Sequence, residues 1–192
     1  TAINDWGLLY FVESKGVPQI IASSFIFAFE IGGFFGSLAA GWISDTLYRG
    51  LRIPVNGLFA VGSCLSCLLM VLIPVNLYLF YTVFMFLSGF FIFGPQMLIG
   101  VACAELSHKK ASGTSTGFAG TFAYLGAATA SLVSGRLTEL YGWEIFFPSL
   151  SLFSLISFAL LIPLWNVKSN PRLSLAAGSE LASQNSEEKE NG

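Results

Sequence analysis

Charge is scarce in this sequence, and its scarcity excludes several classes of protein. Only 10% of the 192 residues are charged and 54% are apolar, whereas an ordinary soluble domain carries about 25% charged residues. The formal net charge is −2 with one histidine, so the chain offers no basic surface for nucleic acid. The few charges stand in short intervals between long apolar runs, which is typical of a polytopic membrane protein rather than a soluble one.

Cysteine is also sparse, with three residues. Cys64 and Cys67 lie inside one apolar run, and Cys103 lies near the end of another. A C-x-x-C pair can bind metal or exchange disulfides, but within a membrane helix it more often faces lipid or packs against a neighbour. No further ligand is nearby, so we predict no metal and no cofactor. The sequence also lacks a nucleophile elbow, a phosphate-cradling loop and paired catalytic carboxylates, and we predict that it is not an enzyme.

Long apolar runs dominate instead. Crossing about 30 Å of hydrocarbon takes roughly 20 apolar helical residues. Five runs are predicted to span: about Gln19–Ile43, Pro54–Ile73, Leu77–Ala104, Gly113–Leu137 and Ile145–Trp165. Residues 1–12 are apolar apart from Asp5 but too short to span, so we expect the last turns of a helix whose start precedes Thr1. The predicted fold class is all-α and polytopic, with five helices over residues 13–165 after a truncated first helix.

The polar intervals alternate in charge and predict an orientation. Cations gather at Arg49 and Arg52, at Lys109 and Lys110, and after Trp165, while the intervening loops hold few. Because cytoplasmic loops collect lysine and arginine, we predict that these intervals and the C-terminus are cytoplasmic, in a cell inner membrane. Residues 166–192 are rich in serine, glutamate and asparagine, which predicts a disordered cytoplasmic tail.

Two of the predicted helices look like copies of one another. The run from Gly32 to Asp45 and the run from Gly126 to Glu139 share the spacing of small residues, with an acid four residues after the last glycine. By the charge pattern, the first copy ends inside and the second outside. This predicts an inverted repeat of three helices plus three; chance recurrence of small residues is the alternative.

Glu30 and Asp5 are the acids of greatest interest. Glu30 lies near the middle of an apolar span, where a charge costs about 2.5–3.5 kcal/mol. We expect it to face the bundle interior and to be paired with a cation, protonated or both. No lysine or arginine lies at that depth in this chain, so a cationic partner would come from elsewhere. Asp5 is either a similar acid or an interfacial residue beside Trp6.

Two further positions could line a polar cavity. Tyr124 lies among small residues in the run beginning at Gly113, where a phenol could donate to a bound oxyanion or simply pack. Gly94 and Pro95 interrupt the run beginning at Leu77, because proline removes a backbone hydrogen bond and kinks a helix. Gln96 then presents an amide at mid-membrane. This pattern predicts a gate or cavity wall, or a purely structural bend.

Six segments resemble the organophosphate:inorganic-phosphate antiporter family of the major facilitators, with the hexose-phosphate transporter and sensor branch nearest in pattern. In chain order they are Ala2–Gly7, Phe29–Gly33, Gly41–Asp45, Gly94–Gly100, Ala104–Lys110 and Gly117–Gly126. Gly41 and Asp45 form a loop motif general to major facilitators, and Arg49 and Arg52 follow it.

The resemblance implies helices seven to twelve, the C-terminal half of a transporter whose N-terminal six-helix half lies outside this sequence. It implies alternating-access transport of a hexose phosphate in exchange for inorganic phosphate, or sensing of external hexose phosphate with signalling to a histidine kinase. It further implies that Asp5 and Glu30 make salt bridges between halves and that Tyr124 faces substrate. One departure from the resemblance concerns selectivity. The hexose-phosphate transporter looks to have an aspartate and a lysine in helix eleven where this chain has Ala128 and Ser131, so the resemblance leaves open which sugar phosphate is bound.

Overall fold

The computed structural model describes residues 2–48, 51–72, 74, 77–107 and 111–164, and this part of the chain is helical with short turns. The helices are α1 (Ala2–Leu9), α2 (Gln19–Thr46), α3 (Arg52–Leu72), α4 (Tyr78–Leu106), α5 (Ser112–Tyr141) and α6 (Phe146–Leu161). A π-helical turn, Tyr10–Ser14, extends α1, and 3-10 turns cover Trp143–Ile145 and Ile162–Leu164. The predictions made on Arg49, on Lys109 and Lys110, and on the tail 166–192 fall outside the described residues.

Glycine and proline set the helix boundaries. Gly16, with φ of 63°, reverses the chain after the π-turn. Pro18 then precedes α2, and its carbonyl accepts hydrogen bonds from the amides of Ile21 and Ala22 at 2.9 and 3.0 Å. At the far end of α5, Gly142 has a φ of 84°, a left-handed conformation that costs glycine little. The predicted breaks between helices therefore fall where the chain can turn.

Four described helices are long and apolar enough to cross a membrane: Gln19–Thr46, Arg52–Leu72, Tyr78–Glu105 and Trp143–Leu161. Each corresponds to one of the predicted spans within a few residues. Helix α5 is as long, at 30 residues, but is not among the four. Glycine, alanine, serine and threonine replace larger apolar residues along it, and its crossing of the membrane stays a prediction.

Glycines allow α2 and α4 to pack backbone against backbone. A Cβ added at Gly32 would overlap the backbone of Phe86, and one added at Gly36 would overlap that of Phe90. From the other side, a Cβ at Gly89 would overlap the backbone of Phe29. Small residues at such a crossing let two helices approach closely in a membrane. Helix α3 packs against α4, and α6 packs in turn against α3.

Aromatic side chains fill the core at the end where α1 finishes and α6 begins. The rings of Tyr10 and Phe147 meet edge to face, with centroids 4.8 Å apart, and those of Phe11 and Phe25 lie 4.9 Å apart. Such arrangements suit the ring quadrupoles. Cys64 and Cys67 are buried within the bundle, so of the two expected environments the structure shows packing rather than lipid.

Helix α5 stands apart from this core. Along it, Ser134 is buried, whereas Phe118, Phe122 and Tyr124 are 67%, 60% and 79% exposed. A Cβ added at Gly117 or at Gly126 would have no atom of the described chain within 4 Å. The small-residue surface of α5 is therefore open over much of its length.

Candidate functional site

Glu30 is exposed on the surface of α2 although it lies within an apolar span. The side-chain amide of Asn4 on α1 donates a hydrogen bond to Glu30 Oε1 at 2.7 Å. No cation of the described residues pairs with it. A carboxylate facing hydrocarbon here would be costly, and that Glu30 faces the interior of a larger bundle stays a prediction. The predicted cationic partner is not among the described residues.

Helix α1 lies between α2 and α5. Asn4 reaches Glu30 on one side, while the indole Nε1 of Trp6 donates to the hydroxyl and the carbonyl of Ser131 on the other, at 3.0 and 3.1 Å. Ser131 is one of the two positions at which this chain departs from the hexose-phosphate transporter pattern. The Ser131 hydroxyl accepts the hydrogen bond from Trp6, so this residue forms a structural contact between α1 and α5.

Tyr124 and Gln96 are both exposed, as a cavity-lining role requires. Within the described part of the chain, neither side chain makes a hydrogen bond, and Asp5 is likewise exposed without a described partner. The structure thus brings Asn4 and Glu30 together, and leaves Asp5, Gln96 and Tyr124 as separate polar groups on open surface. Their grouping into one ligand site stays a prediction.

The helix at Gly94 and Pro95 does not break. Helix α4 runs from Tyr78 to Leu106 with Pro95 inside it. Gly94 is buried, and a Cβ there would lie 2.5 Å from the ring of Phe59 and 3.0 Å from Ala40. Gly94 is therefore a close-packing position between α4 and its neighbours, and a gating role for the Gly-Pro pair stays a prediction.

Three charged side chains tie the ends of α2, α3 and α4 together. Arg52 Nη1 lies 2.6 Å from Asp45 Oδ1, and Arg52 Nη2 lies 2.7 Å from Glu105 Oε1. A second bond joins Arg52 Nε to Glu105 Oε2 at 3.3 Å, so this pair is bidentate. The Arg52 side chain is only 12% exposed. Of the predicted loop motif, Asp45 and Arg52 therefore pair with each other, and Gly41 lies against the methyl of Met97 at an added-Cβ distance of 3.6 Å.

Glu105 was not predicted as part of this cluster, although the sequence held a signal for it. Asp45, Arg52 and Glu105 all stand at the ends of apolar runs that the charge pattern assigns to one side of the membrane. One arginine with two acids at the same boundary indicates a bridging ion pair. Asn4 and Ser131 carried no comparable signal, because their contacts depend on how distant helices pack.

This fold and its four long apolar helices define a class: a polytopic α-helical membrane protein. The model of the Major Facilitator Superfamily matches residues 6–187, and the chain belongs to that superfamily.

Curated relatives narrow the resemblance. The chain is 46% identical over 168 residues to a "Probable hexose phosphate transport protein" of Chlamydia trachomatis, covering 86% of this chain and 36% of that protein. It is 47% identical over 167 residues to the "Membrane sensor protein UhpC" of Escherichia coli, covering 87% and 38%. To the "Hexose-6-phosphate:phosphate antiporter" of Salmonella typhimurium it is 32% identical over 161 residues, covering 77% and 33%. The chain thus spans between 33% and 38% of the length of these relatives. Their names confirm the predicted branch of the family.

Proposed function

We propose that this chain is the C-terminal half of a transporter that carries a hexose phosphate across the cell inner membrane by alternating access, in exchange for inorganic phosphate. The observation that carries the proposal is the 46% identity to a protein named for hexose phosphate transport, which extends over 86% of this chain. A six-helix N-terminal half completes the protein, and the Arg52 cluster with the C-terminus faces the cytoplasm.

Exposed polar groups on the long helices support this function. Glu30 and Gln96 are exposed polar groups on long apolar helices, and Tyr124 is exposed on α5. In a bilayer such groups face the bundle interior or a water-filled cavity. A cavity between two halves gives a phosphate ester a polar route, and opposing halves can rock about it. In this account Asp5 and Glu30 pair with cations of the other half, and breaking those pairs changes the balance of inward-facing and outward-facing states.

The test is exchange by the product of the complete reading frame that contains these residues. Proteoliposomes loaded with inorganic phosphate should take up radiolabelled glucose 6-phosphate, and loading without phosphate should abolish most uptake. Tyr124→Phe should lower uptake, whereas Tyr141→Phe should not, since Tyr141 is an exposed tyrosine at the end of the same helix. Uptake equal to that of empty liposomes would overturn the transport proposal.

The relative named as a membrane sensor gives this experiment a second readout. A sensor would bind glucose 6-phosphate with little exchange, and would pass the signal to a partner such as a histidine kinase. Equilibrium binding measured on the same proteoliposomes therefore separates the two functions. Binding without phosphate-dependent uptake would replace the transport proposal with the sensing one.

A further inference from the structure

A pocket of about 490 Å³ opens between α1 with its π-turn and the end of α5 with the 3-10 turn that follows. Its walls include Trp6, Trp143 and Leu132, and its rim carries Glu13, Arg136 and Glu139. We call it the Trp143 pocket. Small-molecule sites commonly enclose roughly 300–1,000 Å³ and combine apolar walls with a few polar groups. The volume and the mixed lining of the pocket meet that description, and Glu30, Gln96 and Tyr124 are not among the residues that line it.

Both indoles of the pocket are held in place by the protein itself. Trp6 is fixed by its two hydrogen bonds to Ser131. Trp143 donates from Nε1 to Glu13 Oε2 at 3.2 Å, and its ring meets that of Phe146 edge to face with centroids 6.3 Å apart. A ligand that stacks on rings already ordered loses less free energy to side-chain ordering. Both indoles therefore line the pocket in positions that the protein already holds.

The polar rim offers both hydrogen-bond donors and acceptors. Arg136 Nη1 bonds Glu139 Oε2 at 2.9 Å, and Arg136 is 78% exposed. Its other nitrogens make no bond within the described residues, and one oxygen of Glu13 stays open beside Trp143. The carboxylates of Glu13 and Glu139 outnumber the guanidinium of Arg136, so the rim carries a net negative charge. That charge disfavours binding of an anion such as a phosphate ester.

We propose that the Trp143 pocket binds a neutral monosaccharide. The apolar faces of a sugar ring suit the indoles, and its hydroxyls can donate to the carboxylates and accept from the guanidinium. Because a hydroxyl carries no charge, the excess of carboxylate does not oppose binding. Glu30, Gln96 and Tyr124, the side chains assigned to the transport cavity, do not line this pocket, so the two proposals can be tested separately.

The test is binding of D-glucose to the complete protein in lipid nanodiscs, measured by tryptophan fluorescence and by calorimetry. Wild type should bind glucose saturably, and glucose 6-phosphate should not compete for this site. Trp143→Ala and Arg136→Gln should each weaken glucose binding by about tenfold, a change of 1.4 kcal/mol. Trp42→Ala is the matched control: Trp42 is 65% exposed on α2 and does not line the pocket, so its loss should change nothing.

Several results would overturn the proposal. No saturable glucose binding by wild type is one, and binding that both pocket variants retain unchanged is another. Binding of glucose 6-phosphate in preference to glucose, with the same dependence on Arg136, would assign the pocket to an anionic ligand instead. Arg136→Gln changes only an exposed side chain, so it keeps the test decisive even where Trp143→Ala impairs folding. Retained phosphate exchange in these variants separates this outcome from failure of the transport proposal.

Discussion

Helices α2 and α5 carry matching patterns of small residues and lie in different surroundings. In α2, Gly32 and Gly36 are buried against the backbone of α4. In α5, the corresponding Gly126 has no described atom near its added Cβ. Both helices have a neighbour against the last glycine of the pattern. Gly41 of α2 lies near Met97, and Gly135 of α5 lies against Trp6, with an added Cβ 2.8 Å from Trp6 Cζ2. A small-residue pattern therefore specifies a packing surface, and the partner decides whether that surface is filled.

The largest expected effect comes from adding a methyl group to the filled surface. Gly36→Ala would force its Cβ into the backbone of Phe90, so α2 and α4 must separate. We expect a loss of about 3 kcal/mol in the free energy of unfolding, at the upper end for overpacking. Unfolding of the 192-residue chain in mixed micelles, followed by circular dichroism, measures it.

Gly126→Ala is the matched control on the open surface. It meets no described atom and removes a helix-interior glycine, so we expect stabilisation of up to about 1 kcal/mol. Equal destabilisation by the two substitutions would show that the comparison between α2 and α5 is wrong.

The ion pairs at the two ends of the molecule sharpen the comparison. The Arg52 side chain joins three helices through Asp45 and Glu105 and is 12% exposed. Among the residues that the structure describes, Arg136 pairs only with Glu139 of its own helix, and its side chain is 78% exposed. We expect Arg52→Gln to cost about 2 kcal/mol, as for charge-assisted, bidentate bonds. Arg136→Gln should stay within about 0.5 kcal/mol. The same unfolding assay compares them, and similar losses would contradict the assignment of Arg52 as the tie between helices.

A smaller effect is expected at the contact between α1 and α5. Trp6→Phe keeps an aromatic ring but removes the donor that bonds Ser131, and we expect a loss of about 1 kcal/mol. Ser131→Ala removes the hydroxyl acceptor and leaves the carbonyl, so its effect should be smaller. Additive losses in the double variant, measured as a mutant cycle, would show that the two side chains are not coupled.

The smallest effect on stability is expected at Glu30. Asn4→Ala removes an exposed hydrogen bond to its carboxylate, and we expect about 0.5 kcal/mol or less, at the low end for a hydrogen bond. In the complete protein, Glu30→Gln should instead alter phosphate exchange far more than stability. Glu144→Gln, an exposed acid at a helix boundary, is the control that should alter neither.

The sequence predicts the helices well because their signals are local. The apolar runs place the helix ends within a few residues, and in the structure Gly16, Pro18 and Gly142 lie at three of those ends. Packing partners are harder to predict from the sequence. No nearby residue indicates that Asn4 contacts Glu30 or that Trp6 contacts Ser131, which is 125 residues away. The sequence predicts that Gly94, with the proline that follows it, forms a kink. In the described fold Gly94 instead packs closely against Phe59. Contacts of this kind depend on the assembled bundle rather than on the nearby sequence.

The central claim is that the open surface of α5 faces a water-filled cavity that binds a hexose phosphate. Substituted-cysteine labelling tests it most directly, with Tyr124→Cys placed in the complete protein after Cys103 is changed to serine. A charged, membrane-impermeant thiol reagent should label Cys at position 124 in open membrane fragments, and glucose 6-phosphate should slow the reaction. Leu160→Cys, exposed on α6, should resist the same reagent. Labelling only by lipid-soluble reagents, unaffected by glucose 6-phosphate, would contradict the account.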